Sequence, residues 1–458
     1  MELKEKVYLE SLGCSKNLID SEVMLGSLKH AGYAFTTDKS AADIIIVNTC
    51  AFINNATEEA LETISNLLPL KKRGACRKLV VAGCLPQRYG SNLTSTFTSL
   101  KDVDLFVGVG DFPNIAALIR REDRGTPLPS PFHLNAPPFL LDHTTPRIRA
   151  TPPHTAYVKI AEGCSHRCTF CTIPLIKGPY QSRLPESILA EVHALAEEGV
   201  KEINLIAQDT TFYGNDLTTK TDLAHLLQLL STIKKITWIR ILYCHPDHLT
   251  ANLISVIGKE AQVCNYIDLP LQHSSNTILK RMGRGKKNRA IKKLIAELRE
   301  RLPGLWLRTT LIVGFPGETN DDFNCLMDFI TEMEFEHLGA FKYSSEAGTP
   351  ANRYGDTVLP AIIEERYHQV MSAQSSIALK KNQALIGTSQ TVLIESIDQE
   401  QGLISGRTFF QAPDIDGIVF ITEGRAPIGD MVQVTITGAS EYDLFGKITD
   451  LSGRDTCR

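Results

Sequence analysis

The stretch Glu162-Gly163-Cys164-Ser165-His166-Arg167-Cys168-Thr169-Phe170-Cys171 puts three thiols in one short loop, separated by three residues and then by two. That spacing is close to the runs by which thiolates wrap an iron–sulfur cluster, except that no fourth cysteine lies nearby. A four-iron cluster on three thiolates keeps one iron open for a small molecule, just as a vacant position separates catalytic from structural zinc. Zinc and free thiols are the competing readings. Zinc would want a fourth ligand, and His166 sits inside the loop rather than at finger spacing beyond it.

The Cys164, Cys168, Cys171 pattern, with Phe170 before the last cysteine, resembles the signature of radical S-adenosylmethionine enzymes. The resemblance implies a 4Fe-4S cluster whose open iron chelates S-adenosylmethionine and, once reduced, cleaves it to a deoxyadenosyl radical. Reducing a sulfonium needs the low end of the cluster potential range, so the loop is expected in a sheltered cavity.

Around the loop, residues 154–383 alternate between strand-like and helix-like segments. The strands read as Ala156–Ala161, Glu202–Ala207, Thr237–Leu242, Asn265–Leu269, Leu307–Val313 and His337–Tyr343, with helices such as Glu186–Glu198 and Lys287–Arg301 between them. Six such units are fewer than the eight of a closed barrel, and the cysteine loop follows the first strand, at the face where barrel enzymes place their chemistry. The resemblance implies the open six-unit (β/α) barrel of the radical family. Polar and glycine-rich clusters follow other strands, giving Gln208, Asp209, Gln272, Gly314 and Gly317 as candidate cofactor-binding residues; ordinary turn chemistry is the alternative. His245 and His273 read as hydrogen-bonded wall residues, and Cys76, Cys244, Cys264, Cys325 and Cys457 match no cluster motif. The basic run Lys280 to Lys287 could attract an anion such as RNA, but reads better as a solvated loop and helix start.

In residues 1–121 three apolar runs each end in a cysteine: Val7–Gly13 before Cys14, Asp43–Thr49 before Cys50, and Lys78–Gly83 before Cys84. Helix-like segments, about Asp20–Ala31 and Asn55–Leu68, separate them. This alternation predicts a parallel α/β sheet, whose ligands gather beyond the carboxyl ends of the strands. Thiols 36 and 34 residues apart can then converge on one cluster; small buried strand-end cysteines are the plainer reading. The motifs Leu12-Gly13-Cys14-Ser15-Lys16-Asn17, Asn48-Thr49-Cys50-Ala51-Phe52-Ile53 and Gly83-Cys84-Leu85-Pro86-Gln87 resemble those of the methylthiotransferase domain. The resemblance implies a second, auxiliary 4Fe-4S cluster on Cys14, Cys50 and Cys84. Ser15 departs from the proline of many relatives. Eight of the 22 prolines fall between Pro127 and Pro153, so residues 122–153 read as an extended linker.

Residues 385–453 carry five short β runs, Gln390–Ser396, Leu403–Arg407, Ile418–Thr422, Met431–Thr437 and Phe445–Leu451, a pattern that predicts a small antiparallel barrel. It resembles the TRAM-like domain with which methylthiotransferases hold their substrate. From Leu385 onward five Lys or Arg stand against eleven Asp or Glu, the wrong balance for RNA and the right one for a basic protein. Cys50-Ala51-Phe52-Ile53, Ala207–Thr211, Ala412–Gly417 and Tyr442-Asp443-Leu444 resemble the ribosomal branch of the family. That branch modifies an aspartate of small ribosomal subunit protein twelve, with no direct RNA binding required; the other branch modifies an adenosine of transfer RNA. A nonenzymatic iron–sulfur electron carrier is the reading from another class.

The 458 residues, 43% hydrophobic and 22% charged with a net charge of −4, suit about three globular domains. No apolar run approaches a membrane span. The charged opening Met1–Lys6 reads as no signal peptide. Eleven cysteines without a small secreted framework point to a reducing, cytoplasmic setting. Such chemistry also needs an electron donor, of the flavodoxin or ferredoxin kind.

Overall fold

The computed structural model describes residues 5–74, 76–123, 130–135, 139–398, 400 and 402–450. Cys457 and the far end of the last strand run expected from the sequence lie outside them.

The first sheet holds six parallel strands: β1 (Lys6–Ser11), β2 (Ala34–Phe35), β3 (Ile44–Thr49), β4 (Lys78–Gly83), β5 (Leu105–Val107) and β6 (Phe132–His133), in the order β2-β1-β3-β4-β5-β6. Every residue of β3 and β4 is buried, as befits central strands covered on both faces. The strand β6 comes from the proline-rich segment expected to be linker. Gly108 and Phe106 donate backbone N–H groups to His133 and Pro131 carbonyls, and Phe132 stacks on Phe106 at 4.6 Å. Proline lacks a donor but its carbonyl still accepts, so a two-residue edge strand survives there without any periodic signal.

The second sheet is the open barrel. After β7 (Thr155–Lys159), a short antiparallel pair, β8 (Ala161–Glu162) with β9 (Gln181–Ser182), brackets the cysteine loop. Then come β10 (Glu202–Ile206), β11 (Trp238–Ile241), β12 (Val263–Asp268), β13 (Trp306–Val313) and β14 (His337–Lys342). The order is β14-β13-β12-β11-β10-β7, all parallel, with β7 and β14 as free edges. Alternate strand residues enter different cores. Val158, Ile203, Ile239, Ile267 and Leu307 pack under the outer helices, against faces such as Ile291, Leu294, Ile295 and Leu298 at helical spacing. Tyr157, Ile206, Trp238, Tyr266 and Trp306 pack instead with the last domain.

That domain is a closed barrel of β15 (Ser389–Ile397), β16 (Ile404–Thr408), β17 (Val419–Glu423), β18 (Met431–Ala439) and β19 (Leu444–Asp450), ordered β15-β16-β17-β19-β18. It corrects the wholly antiparallel expectation: β17 and β19 pair in parallel. The chain crosses from β17 to pair β18 with β15, so the returning β19 closes the remaining gap in the same direction as β17.

The barrel also alters the meaning of its own charge. Arg407 binds Glu202 and Glu395, each at 2.6 Å, while Asp416 accepts from Tyr266 at 2.7 Å and from Arg308 at 3.2 Å. Phe410 stacks on Trp306 at 4.0 Å. Thus Ala412–Gly417 does not form a free surface loop: its Asp416 is fixed to the inner wall of the open barrel. Among the described residues, no helix is long and apolar enough to cross a membrane.

Candidate functional site

Strands β1, β3 and β4 are neighbours in register, Ser11 opposite Asn48 and Thr49 opposite Gly83, so their carboxyl ends bring Cys14, Cys50 and Cys84 to one edge. Cys14 caps a helix, Ser15–His30, that begins five residues before the expected start; Cys84 opens another, Cys84–Tyr89. Gly13 has φ +88°, and a Cβ there would lie 2.7 Å from Cys50 Cβ, so only glycine lets the two loops approach. Asn17 ties the three ends together. Its amide donates to the Leu12 and Thr49 carbonyls at 3.1 and 2.9 Å, and its carbonyl oxygen faces Cys84 Sγ at 3.6 Å.

The second trio lies beyond β7. Gly163, φ +77°, turns the chain where a Cβ would sit 2.0 Å from the Pro179 carbonyl, and Cys164 donates its N–H to Gly178 at 3.0 Å. Gly163→Val is expected to strain the backbone by about 1–3 kcal/mol before the collision is counted. Iron retention by the Cys164 loop, measured after anaerobic reconstitution, should fall while the first trio keeps its share.

Both trios face one cavity of about 330 Å³ that is also lined by Lys177, Gln208, Tyr243, Gln272 and Arg284. Its size suits a small organic ligand. Burial pushes the thiols of Cys50 and Cys164 up to about 11 and Cys171 to about 12, and raises Cys84 further. These four stay protonated at neutral pH unless a cation takes the sulfur, and six cysteines around one space fit metal ligation and little else.

A buried charge network joins the two halves. Lys159 binds Asp20 at 2.5 Å and Glu162 at 2.8 Å, and Lys177 binds Asp20 at 2.8 Å. Although burial works against both charges, Lys159 and Lys177 hold the Glu162 carboxyl below its usual range, and Asp20 and Glu162 hold the Lys177 ammonium above its own. Lys16 stands 3.1 Å from the Tyr243 ring centre, and Tyr243 has the left-handed φ of +61°. Sequence reading missed this group. The one available signal was a lysine, Lys159, inside the otherwise uncharged strand run Ala156–Ala161.

The sequence-derived cofactor residues divide. Gln208 lines the cavity, its amide donating to Glu162 at 2.7 Å and its buried carbonyl oxygen lacking a partner among the described residues. Gln272, φ +73°, lines it too. Asp209 does not. Its Oδ2 takes His166 Nε2 and His248 Nδ1, each at 2.7 Å, and its Oδ1 takes the N–H groups of Thr211 and Phe212. Despite burial, those bonds hold its carboxyl well below the usual range. Gly314 and Gly317 also stand apart, their missing side chains leaving room for Ile363 and for Asp356 with Arg281. His245 stacks on His166 at 4.2 Å, and burial pushes its imidazole down to about 2.

An open parallel barrel with a three-cysteine loop beyond its first strand defines a radical S-adenosylmethionine protein, here with a second cysteine trio facing the same cavity. Family models agree: the Radical SAM superfamily matches residues 158–330, the Uncharacterized protein family UPF0004 residues 6–108 and the TRAM domain residues 386–449. The chain belongs to the ribosomal protein uS12 methylthiotransferase family. It is 48% identical over 446 residues to the ribosomal protein uS12 methylthiotransferase RimO of Geobacter sulfurreducens, covering 97% of this chain and 99% of the relative. The protein of the same name from Geotalea uraniireducens is 48% identical over 448 residues, with 97% and 99% covered. Among solved structures, the radical S-adenosylmethionine methyltransferase TsrM from Kitasatospora setae, bound to cobalamin and a [4Fe-4S] cluster, aligns with a TM-score of 0.55 at 13% identity, covering 85% of this chain and 81% of that one. That likeness is one of fold.

Proposed function

We propose that this chain methylthiolates the β-carbon of an aspartate on ribosomal protein uS12, with residues 1–121 holding an auxiliary cluster, 154–383 the cleaving cluster and 385–453 a TRAM-like substrate domain, joined through 122–153. The observation that carries the reading is that two cysteine trios from different sheets line a single cavity. When bound, the two 4Fe-4S clusters and S-adenosylmethionine supply one-electron sulfonium cleavage and the sulfur to be methylated.

The chain's own residues do the rest. Cys164, Cys168 and Cys171 ligate one cluster, and Cys14, Cys50 and Cys84 the other. Gln208 and Gln272 line the space between, and the Gln208 carbonyl oxygen is a ready acceptor for a ligand N–H or O–H. The Asp20, Lys159, Glu162 and Lys177 network holds the two halves in register. A cavity walled by Phe52, Phe170 and Ile176 keeps water from a reactive carbon. An unactivated β-carbon has no acidic proton, so no general base is required.

The partner is a basic protein. On the described part of the C-terminal barrel, Asp398, Glu400, Asp414, Glu423, Asp430 and Glu441 are exposed against Arg425 and Lys447, so the acidic excess persists at the surface after the internal pairs are set aside. A low-potential one-electron donor of the flavodoxin or ferredoxin kind serves the cluster, in the cytoplasm. The test is mass spectrometry after anaerobic incubation with reductant and S-adenosylmethionine. A mass gain of one methylthio group on uS12 aspartate, with transfer RNA unchanged, is expected. The reverse pattern would replace this reading with adenosine modification, and absence of deoxyadenosine would leave an electron carrier.

A further inference from the structure

The basic run Lys280 to Lys287 is the solvated loop and helix start expected at its ends, with Lys280 and Lys287 exposed and Lys287 capping the helix Asn288–Arg301, but its middle, Arg281 to Arg284, is the floor of the cysteine loop. The helix Asn276–Arg281 ends in the usual left-handed way: Gly283, φ +72°, and Arg284 return their N–H groups to the carbonyls of Lys280 and Leu279. On this turn rests the loop. Thr169 donates its N–H to the Met282 carbonyl at 3.0 Å and its hydroxyl to the Arg281 carbonyl at 2.8 Å. A Cβ on Gly283 would stand 2.7 Å from the Arg167 carbonyl. Arg281 fixes the turn from behind through Asp356 at 2.7 Å and the Pro316 carbonyl at 3.2 Å.

The geometry points to Arg284 as a positioning residue for the metal group on Cys164, Cys168 and Cys171, donating through Nη1 to the Cys168 sulfur and setting the potential at which that group accepts its electron. Its Nη1 lies 3.6 Å from Cys168 Sγ, and its Nη2 is held by the Pro270 carbonyl at 2.6 Å. Among the described residues no carboxylate pairs with it, although it lines the cavity. Nearly every other cation around the site has an anion or a ring: Lys159 and Lys177 have Asp20, and Lys16 has Tyr243. A guanidinium held by one carbonyl and aimed at a cysteine is complementary to thiolate sulfur. Hydrogen bonds to sulfur and nearby positive charge stabilise the more negative, reduced cluster, and so raise its potential. Arginine suits this better than lysine because its planar fork can hold the carbonyl and the sulfur at once.

This rests on the cluster assignment above, and the experiment separates the two. Arg284→Gln and Arg284→Lys chains are reconstituted anaerobically, iron is counted, and each cluster is titrated potentiometrically by electron paramagnetic resonance. The cleaving cluster is recognised as the signal that changes on adding S-adenosylmethionine. Expected for Arg284→Gln is wild-type iron content, a lower midpoint for that signal alone, and a several-fold smaller reduced fraction at a fixed reductant potential; Arg284→Lys should fall between. An unmoved midpoint in a fully loaded Arg284→Gln chain overturns the proposal, including the case in which only the affinity for S-adenosylmethionine drops, since the guanidinium would then serve that ligand and not the sulfur. A wild-type chain holding a single cluster overturns the assignment and this proposal together.

Discussion

Replacing Cys168 with alanine is expected to lower bound iron from about eight atoms per chain to about four and to reduce deoxyadenosine formation by at least about a thousandfold. Two thiolates cannot retain a four-iron centre against loss, and a thousandfold in rate corresponds to about 4 kcal/mol of barrier. The effect should be local. Cys168 is half-buried, in a loop held by backbone bonds from Cys164 to Gly178 and from Thr169 to Met282, so the fold around it does not depend on the sulfur. The complementary change, Cys84→Ala, should also leave about four irons yet preserve deoxyadenosine formation, because its sulfur belongs to the other sheet. Iron analysis and chromatography of the nucleoside read both variants. Native-rate cleavage by Cys168→Ala would remove that residue from the ligand set.

How much of this was legible in the sequence follows from the range of the contacts. A parallel strand that ends in cysteine announces itself through its own residues, so the convergence of Cys14, Cys50 and Cys84 could be expected from three runs read separately. The sequence places the helix after Cys14 late because Ser15, Lys16 and Asn17 are poor hydrophobic-face residues; Lys16 is buried against Tyr243 of the open barrel and Asn17 on the Leu12 and Thr49 carbonyls of its own sheet. The buttress at Arg284 had a local signal too, since Met282-Gly283 closes a helix and fixes the next side chain. Its partner Cys168, though, is 116 residues away. The same distance in sequence hid Asp20 from Lys159 and Lys177, 139 and 157 residues off, and Arg407 from Glu202, 205 residues off. Period and composition describe one element at a time; an ion pair between domains leaves no trace in either. The charge balance of the last domain kept its sign but not its size, since Glu395 and Asp416 belong to the interior while the exposed residues remain in acidic excess.

Arg407→Met is expected to undock the C-terminal barrel at a cost of about 3–5 kcal/mol, because it leaves buried acids short of a cation. Glu202 is fully buried and is held between Arg407 at 2.6 Å and Arg240 at 2.9 Å; Arg407 also reaches Glu395 and the Gln411 carbonyl, the latter at 2.7 Å. Both tryptophans of the chain, Trp238 and Trp306, pack in the core that the two domains share, and Trp306 stacks on Phe410, so tryptophan fluorescence reports the docking directly. The variant should shift that transition to lower temperature before the outer helices melt. Glu202→Met combined with Arg407→Met should recover part of the loss, since removing both charges is far less costly than stranding one. Acid should act on the same joint. Against the upward push of burial, the two arginines hold Glu202 down to about 2 from its ordinary 4.5. A carboxylate lowered on folding binds fewer protons folded than unfolded, so its contribution is complete above about pH 4.5 and is lost as pH falls toward 2. Glu202→Gln, which carries no such charge, should flatten that acid limb of the fluorescence titration. A wild-type transition temperature and an unchanged acid limb in these variants would mean that the barrel is held by its apolar contacts alone.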